Sequence, residues 1–172
     1  MANINRPNPS EYAPYYGRYI SLVPDGRILD MLERQLDMTL QLLGAVGDEK
    51  ADYRYATGKW NIKEVIGHVI DTERVFAFRA FSFSRNDKNP LPSFEQDEYV
   101  QNSNFSQRTL RSITDEFREL RKSNLLLFRS FDDDMMLRKG IASGFEFSVR
   151  CIPYIVAGHE LHHVQVLKER YL

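Results

Sequence analysis

One cysteine, Cys151, stands in 172 residues, so no internal disulfide is available and the expected compartment is a reducing one, the cytoplasm. Nine glycines and seven prolines are few for this length, which excludes a collagen-like or loop-dominated chain. The charge is close to balanced, at −1, and Lys and Arg are spread along the chain. There is therefore no basic footprint for gripping a phosphate backbone, and no nucleic-acid partner is expected. No apolar run approaches membrane-spanning length, so no membrane partner is expected either. The stretch Met1 to Gly17 has no charged head followed by an apolar run, so it reads as neither a secretory signal nor an anchor.

What is there is a 42% hydrophobic, 27% charged sequence with enough length for one sizeable core. The expectation is one domain over residues 1–172, with four periodic segments that all read as helices. The first spans Asp25 to Leu43, with Leu29, Leu32, Leu36, Leu40 and Leu43 at helical spacing, Asp25 as N-cap and Gly44 as stop. The second opens at Asn61, with Glu64 three residues on as a capping box and Trp60 packing on Val65 as a hydrophobic staple, and runs to Phe83. The third, Gln107 to Phe131, carries Leu110, Ile113, Phe117, Leu120, Asn124, Leu127 and Phe131 in steps of three and four. The fourth, Val149 to Tyr171, has Pro153 in its first turn and a stripe of Ile152, Val156 and Val166.

The connection from Ser84 to Ser106 is too long for an ordinary turn between antiparallel neighbours. It is long enough to cross the bundle, which lets helices two and three run parallel. In the loop from Asp132 to Ser148, the run beginning at Gly140 carries a hairpin signal.

Three of the four histidines fall in Gly158-His159-Glu160-Leu161-His162-His163. His159 and His163, four apart, project from one helix face within reach of a single cation. At about 100° per residue the apolar stripe centres near His159, and His163 lies about 40° away on the inward side. His162 lies about 60° the other way, which places it at the edge of such a site. The run also satisfies the zinc-protease pattern H-E-x-x-H, with Glu160 in the general-base position. The chain ends nine residues after His163, so a third ligand must come from elsewhere. His68, mid-helix and in register with Thr72, Val75 and Arg79, can supply it. Three protein ligands leave open coordination positions, the arrangement of a catalytic rather than a structural ion.

Other polar residues have simpler readings beside functional ones. Glu64 is a cap that stands one turn from His68, and Asp71 either pairs with Arg74 or orients a ligand. Asn124 is a register-setting core residue or a hydrogen-bonding group of the site. Cys151, about 80° off the direction of His159, is a remote nucleophile candidate.

Taken together, Gly58-Lys-Trp60-Asn-Ile-Lys-Glu64-Val-Ile-Gly-His68, Asp71-Thr-Glu-Arg74 and Gly158-His159-Glu-Leu-His-His163 resemble the DinB-like superfamily, which includes bacillithiol S-transferases and mycothiol-dependent maleylpyruvate isomerases. The resemblance implies an all-α, four-helix bundle of up-down-down-up topology with a long crossover after helix two. It also implies a divalent ion, zinc or nickel, on His68, His159 and His163, and a homodimer. Its characterised members use the ion to activate a low-molecular-weight thiol such as bacillithiol against a small-molecule substrate. A metal-dependent hydrolase using bound hydroxide and a non-catalytic metal-binding dimer are the alternatives.

Overall fold

The computed structural model describes residues 4–172; Met1 to Asn3, the start of the N-terminal stretch read above, lie outside the described residues. In chain order its helices are α1 (Gly17–Ile20), α2 (Ile28–Gly44), α3 (Asp48–Ala51), α4 (Ile62–Ser84), α5 (Gln96–Gln101), α6 (Leu110–Arg129), α7 (Asp133–Leu137) and α8 (Cys151–Arg170). A hairpin of β1 (Lys139–Ala142) and β2 (Phe145–Ser148) precedes α8.

The four long helices form the bundle, each packing on two others in the cyclic order α2, α6, α4, α8. Their registers fix the directions. Gln35 reaches the Ala157 carbonyl and Thr39 reaches Glu160, so α2 and α8 run parallel. Ile66 shares one core cluster with Ile113 and Phe83 shares the other with Phe128, so α4 and α6 also run parallel. The pairs α2 with α6 (Leu32 with Phe128 in one cluster, Leu43 with Leu110 in the other) and α4 with α8 (His68 to His163, Phe83 to Val149 in one cluster) are antiparallel. The bundle is thus up-down-down-up, and the residues between α4 and α6 supply the crossover that parallel neighbours require.

Local chemistry explains the ends. The Asn61 Oδ1 accepts from the Glu64 N–H at 2.9 Å and Glu64 Oε2 accepts from the Asn61 N–H at 2.8 Å, so the capping box is complete. Thr109 caps α6, which therefore starts after Gln107; Gln107 itself belongs to a 3-10 turn. Asp25 does not cap α2. Gly26 adopts φ 140° and Arg27 is extended, so the helix begins at Ile28 while Asp25 turns outward to Arg6 at 3.2 Å. Gly44 is the last helical residue rather than a left-handed stop. The seam of α6 also departs from the expected one: after Phe117 it steps four residues to the buried Arg121 and then to Asn124, Leu125 and Phe128, leaving Leu120 and Leu127 only partly buried.

The crossover is not structureless. Leu91 bridges to Ala142, and α5 packs on α4. Ser143 (φ 53°) and Gly144 (φ 79°) form the left-handed two-residue turn of the hairpin.

The apolar core comes in two pieces. One holds the C-terminal halves of α4 and α6 with the first halves of α2 and α8; the other holds the opposite halves. Between them runs a belt of buried polar side chains: Thr39, His68, Thr72, Glu73, Arg121, Asn124, His159 and Glu160.

Candidate metal centre

The belt has two sides, and α8 separates them because consecutive residues point about 100° apart. Glu160 faces α2, α4 and α6. There Arg121 donates to Glu73 through Nε at 2.9 Å and Nη2 at 2.8 Å, its Nη2 lies 2.9 Å from Glu160 Oε2, and its Nη1 donates to the Leu32 carbonyl at 3.2 Å. Thr39 donates to Glu160 at 2.6 Å and Asn124 to Glu73 at 3.1 Å. One guanidinium thereby ties all four long helices. Glu160 is held in this cluster, so it does not stand at the histidines as the base of an H-E-x-x-H site.

His159 faces the other way. Its Nε2 lies 3.0 Å from Nε2 of His68 and 3.2 Å from Nε2 of His163, and one ligand atom from each of the three lies within 4.8 Å of the others. Nitrogens sharing a tetrahedral ion at zinc–nitrogen distances stand about 3.3 Å apart, so the spacing fits. The chemistry fits as well. A neutral imidazole Nε2 carries one proton or one lone pair, and that of His159 faces two partners at once, which a shared cation resolves. Burial pushes His68 down to about 4 and His163 down to about 3, neighbouring imidazoles adding to it; His159 is driven well below its ordinary value by the same causes. Near neutrality all three keep their lone pairs free.

Trp60 lies against His68 with its ring tilted, at 5.0 Å, and Tyr19 lies edge-on to His159 at 5.3 Å and to His162 at 5.5 Å. Tyr19 gets that close because α8 carries Gly158: a Cβ there would come within 2.0 Å of the Tyr19 carbonyl oxygen. His68 Nδ1 has only a long contact of 3.5 Å to Thr72. His162 stands at the edge, its own pKa lowered by burial and by Arg18.

Two clefts open on the cluster. One of 620 Å³ is bordered by Tyr55, Trp60, His162, His163 and Tyr171; the other, 310 Å³, by Tyr15, Tyr19, His68, Thr72 and His159. Gln96 and Asp97 of α5 line both. Asp97 is exposed, and it is the one carboxylate felt by His68, whose protonated form it favours.

The remaining candidates lie elsewhere. Glu64 is spent on its cap and on Arg54 at 2.6 Å. Asp71 lies 3.8 Å from Arg74, which sits closer to Glu116 at 2.7 Å; burial raises Asp71. Asn124 serves Glu73, away from the histidines. Cys151 is buried and its thiol is pushed far up by burial, which removes it as a nucleophile. Asp97, Tyr19, Glu73 and Arg121 were not among the sequence candidates. A charged residue at a seam position, as Arg121 is one step from Phe117, was the available signal.

The family model described as the DinB superfamily matches residues 31–167. The chain belongs to the DinB superfamily. In solved structures this DinB-superfamily chain is similar to YfiT from Bacillus subtilis, described as a probable metal-dependent hydrolase with an unusual four-helix bundle topology, at TM-score 0.72 and 15% identity over 96% of this chain and 90% of that one. It is also similar to a mycothiol-dependent maleylpyruvate isomerase, at TM-score 0.68 and 12% identity, covering 84% of this chain and 61% of the isomerase. At these identities the likeness is one of fold. No curated protein matches the sequence. Among the described residues no helix is long and apolar enough to cross a membrane.

Proposed function

We propose that this DinB-superfamily chain, acting as a single domain, holds one divalent ion on His68, His159 and His163 and uses it to activate the thiol of a small cofactor such as bacillithiol for attack on an electrophilic substrate. The observation that carries this reading is the convergence of three neutral imidazoles beside two clefts, with the motif glutamate Glu160 engaged elsewhere. A zinc or nickel ion on such a face holds a thiol as thiolate near neutral pH. The protein's own part is to keep the three rings unprotonated by burial, to fix them through Trp60 and Tyr19, and to shape the clefts in which cofactor and substrate meet.

A metal-dependent hydrolase is the second reading, and Asp97 favours it. Its exposed carboxylate lies on both clefts, where it can take a proton from an attacking water. The YfiT description points the same way.

Metal analysis of protein purified without a nickel column tests the site: wild type should carry about one ion per chain and His68→Ala much less. Equal content in both would remove the three-histidine site. Turnover of bacillithiol with an electrophile, lost in a folded His159→Ala protein, supports the thiol reading; thiol-independent turnover lost in Asp97→Asn selects the hydrolase. The homodimer belongs to the same proposal and is checked by light scattering.

A further inference from the structure

Arg79 of α4 is 1% exposed, and among the described residues no charged group compensates it. Its Nη2 donates to the Pro92 carbonyl and to Ser143 Oγ, each at 2.9 Å. Its guanidinium lies over Phe76 at 5.0 Å and Phe147 at 6.0 Å. The Tyr16 hydroxyl is close enough to favour the charged form, yet Nη1 has no acceptor at hydrogen-bonding geometry. Every one of these neighbours is neutral. Burial lowers the Arg79 pKa, but a guanidinium does not lose its proton near neutral pH, so a whole positive charge stands in the interior without a counter-charge.

A cavity of 310 Å³ adjoins it, bordered by Arg79, Val75, Phe78, Leu91, Phe94 and Tyr99. Pro92, whose carbonyl holds Nη2, is part of the same wall as Arg79. Arg74 at the rim is already paired with Glu116, which leaves Arg79, among the described residues lining this cavity, as the cation without an ion-pair partner.

We propose that this cavity binds a small apolar carboxylic acid, its carboxylate against Arg79 and its hydrocarbon body among Val75, Phe78, Leu91 and Tyr99. A guanidinium fork matches a carboxylate in shape and charge. The walls, largely apolar, select against a bare inorganic anion, and the buried cation selects against a neutral hydrocarbon. The volume is at the small end of ligand pockets, which suits an acid of medium chain length. Phe94 also borders the smaller histidine cleft, but the acid site does not rest on the metal reading.

Calorimetric titration with octanoate and with its neutral counterpart 1-octanol is the test. Wild type should bind octanoate at least about ten-fold more tightly than octanol, as a charged hydrogen bond requires, and Arg79→Met should lose that preference. Val75→Phe, which fills the cavity and keeps the cation, should abolish octanoate binding; it also serves if Arg79→Met does not fold. His68→Ala should bind octanoate as wild type does. Equal affinity for acid and alcohol, an undiminished preference in Arg79→Met, or loss of octanoate binding in His68→Ala would each overturn the proposal, the last by moving the carboxylate to the histidines.

Discussion

Arg121 and Arg79 are both fully buried, on neighbouring parallel helices, and their surroundings are opposite in kind. Arg121 meets two carboxylates, a carbonyl and, through Glu73, the Asn124 amide, so its charge is matched within the fold. Arg79 meets a carbonyl, hydroxyls and aromatic faces, so its charge is solvated by dipoles and left unmatched. The difference teaches that burial alone does not say what a charged residue is for. A cation that holds helices together comes with its anions built in, whereas one without them has room for an anion from outside.

The largest expected effect separates the two directly. Arg121→Met leaves Glu73 and Glu160 buried without their cation and should cost about 3–5 kcal/mol in urea unfolding. Arg79→Met removes an uncompensated charge and should stay within about 1 kcal/mol of wild type. Equal losses would break the comparison.

The histidines sharpen it, because a buried imidazole escapes the same penalty by giving up its proton. In the unfolded chain a histidine binds a proton near 6.5, whereas folded His68 does so only near 4 and folded His163 near 3. Between those values the unfolded state holds more protons, so acid favours unfolding. The melting temperature of metal-depleted protein should therefore fall steadily below pH 6.5, and less steeply in His163→Gln.

A smaller effect tests Glu160. Glu160→Gln keeps the shape but weakens the tie to Arg121, and should cost about 1–3 kcal/mol while metal content stays at the wild-type level. Loss of metal with stability unchanged would return Glu160 to the histidine side. Smallest is Ser143→Ala, at about 1 kcal/mol or less, because Arg79 Nη2 keeps the Pro92 carbonyl.

The bundle was legible in the sequence because its signals are local. Capping residues such as Asn61 and Glu64 act within one turn, and the three- and four-residue steps of Leu and Phe declare which face is buried. The excessive length of the α4–α6 connection pointed to parallel neighbours. The convergence of His68 on the HxxxH pair was legible too, though only the fold brings residues 91 positions apart to 3.0 Å. The belt was not legible. Glu73 beside Arg74, or Arg121 beside Lys122, reads as one more solvated charge until a partner from another helix is in place. The same holds for Asp97, since nothing local tells that the crossover folds back over the histidines. Glu160 is the instructive miss: a short motif gave its neighbours but not the direction it faces.

The crossover has one consequence of its own. The belt lies entirely on the long helices, while Leu91, Phe94, Gln96, Asp97 and Tyr99 wall the cavities from a segment outside the bundle. Exchanging that segment would re-cut every cavity wall it contributes while leaving the ties at Arg121 untouched. Part of each cavity wall can thus change without touching the ties that hold the four long helices together.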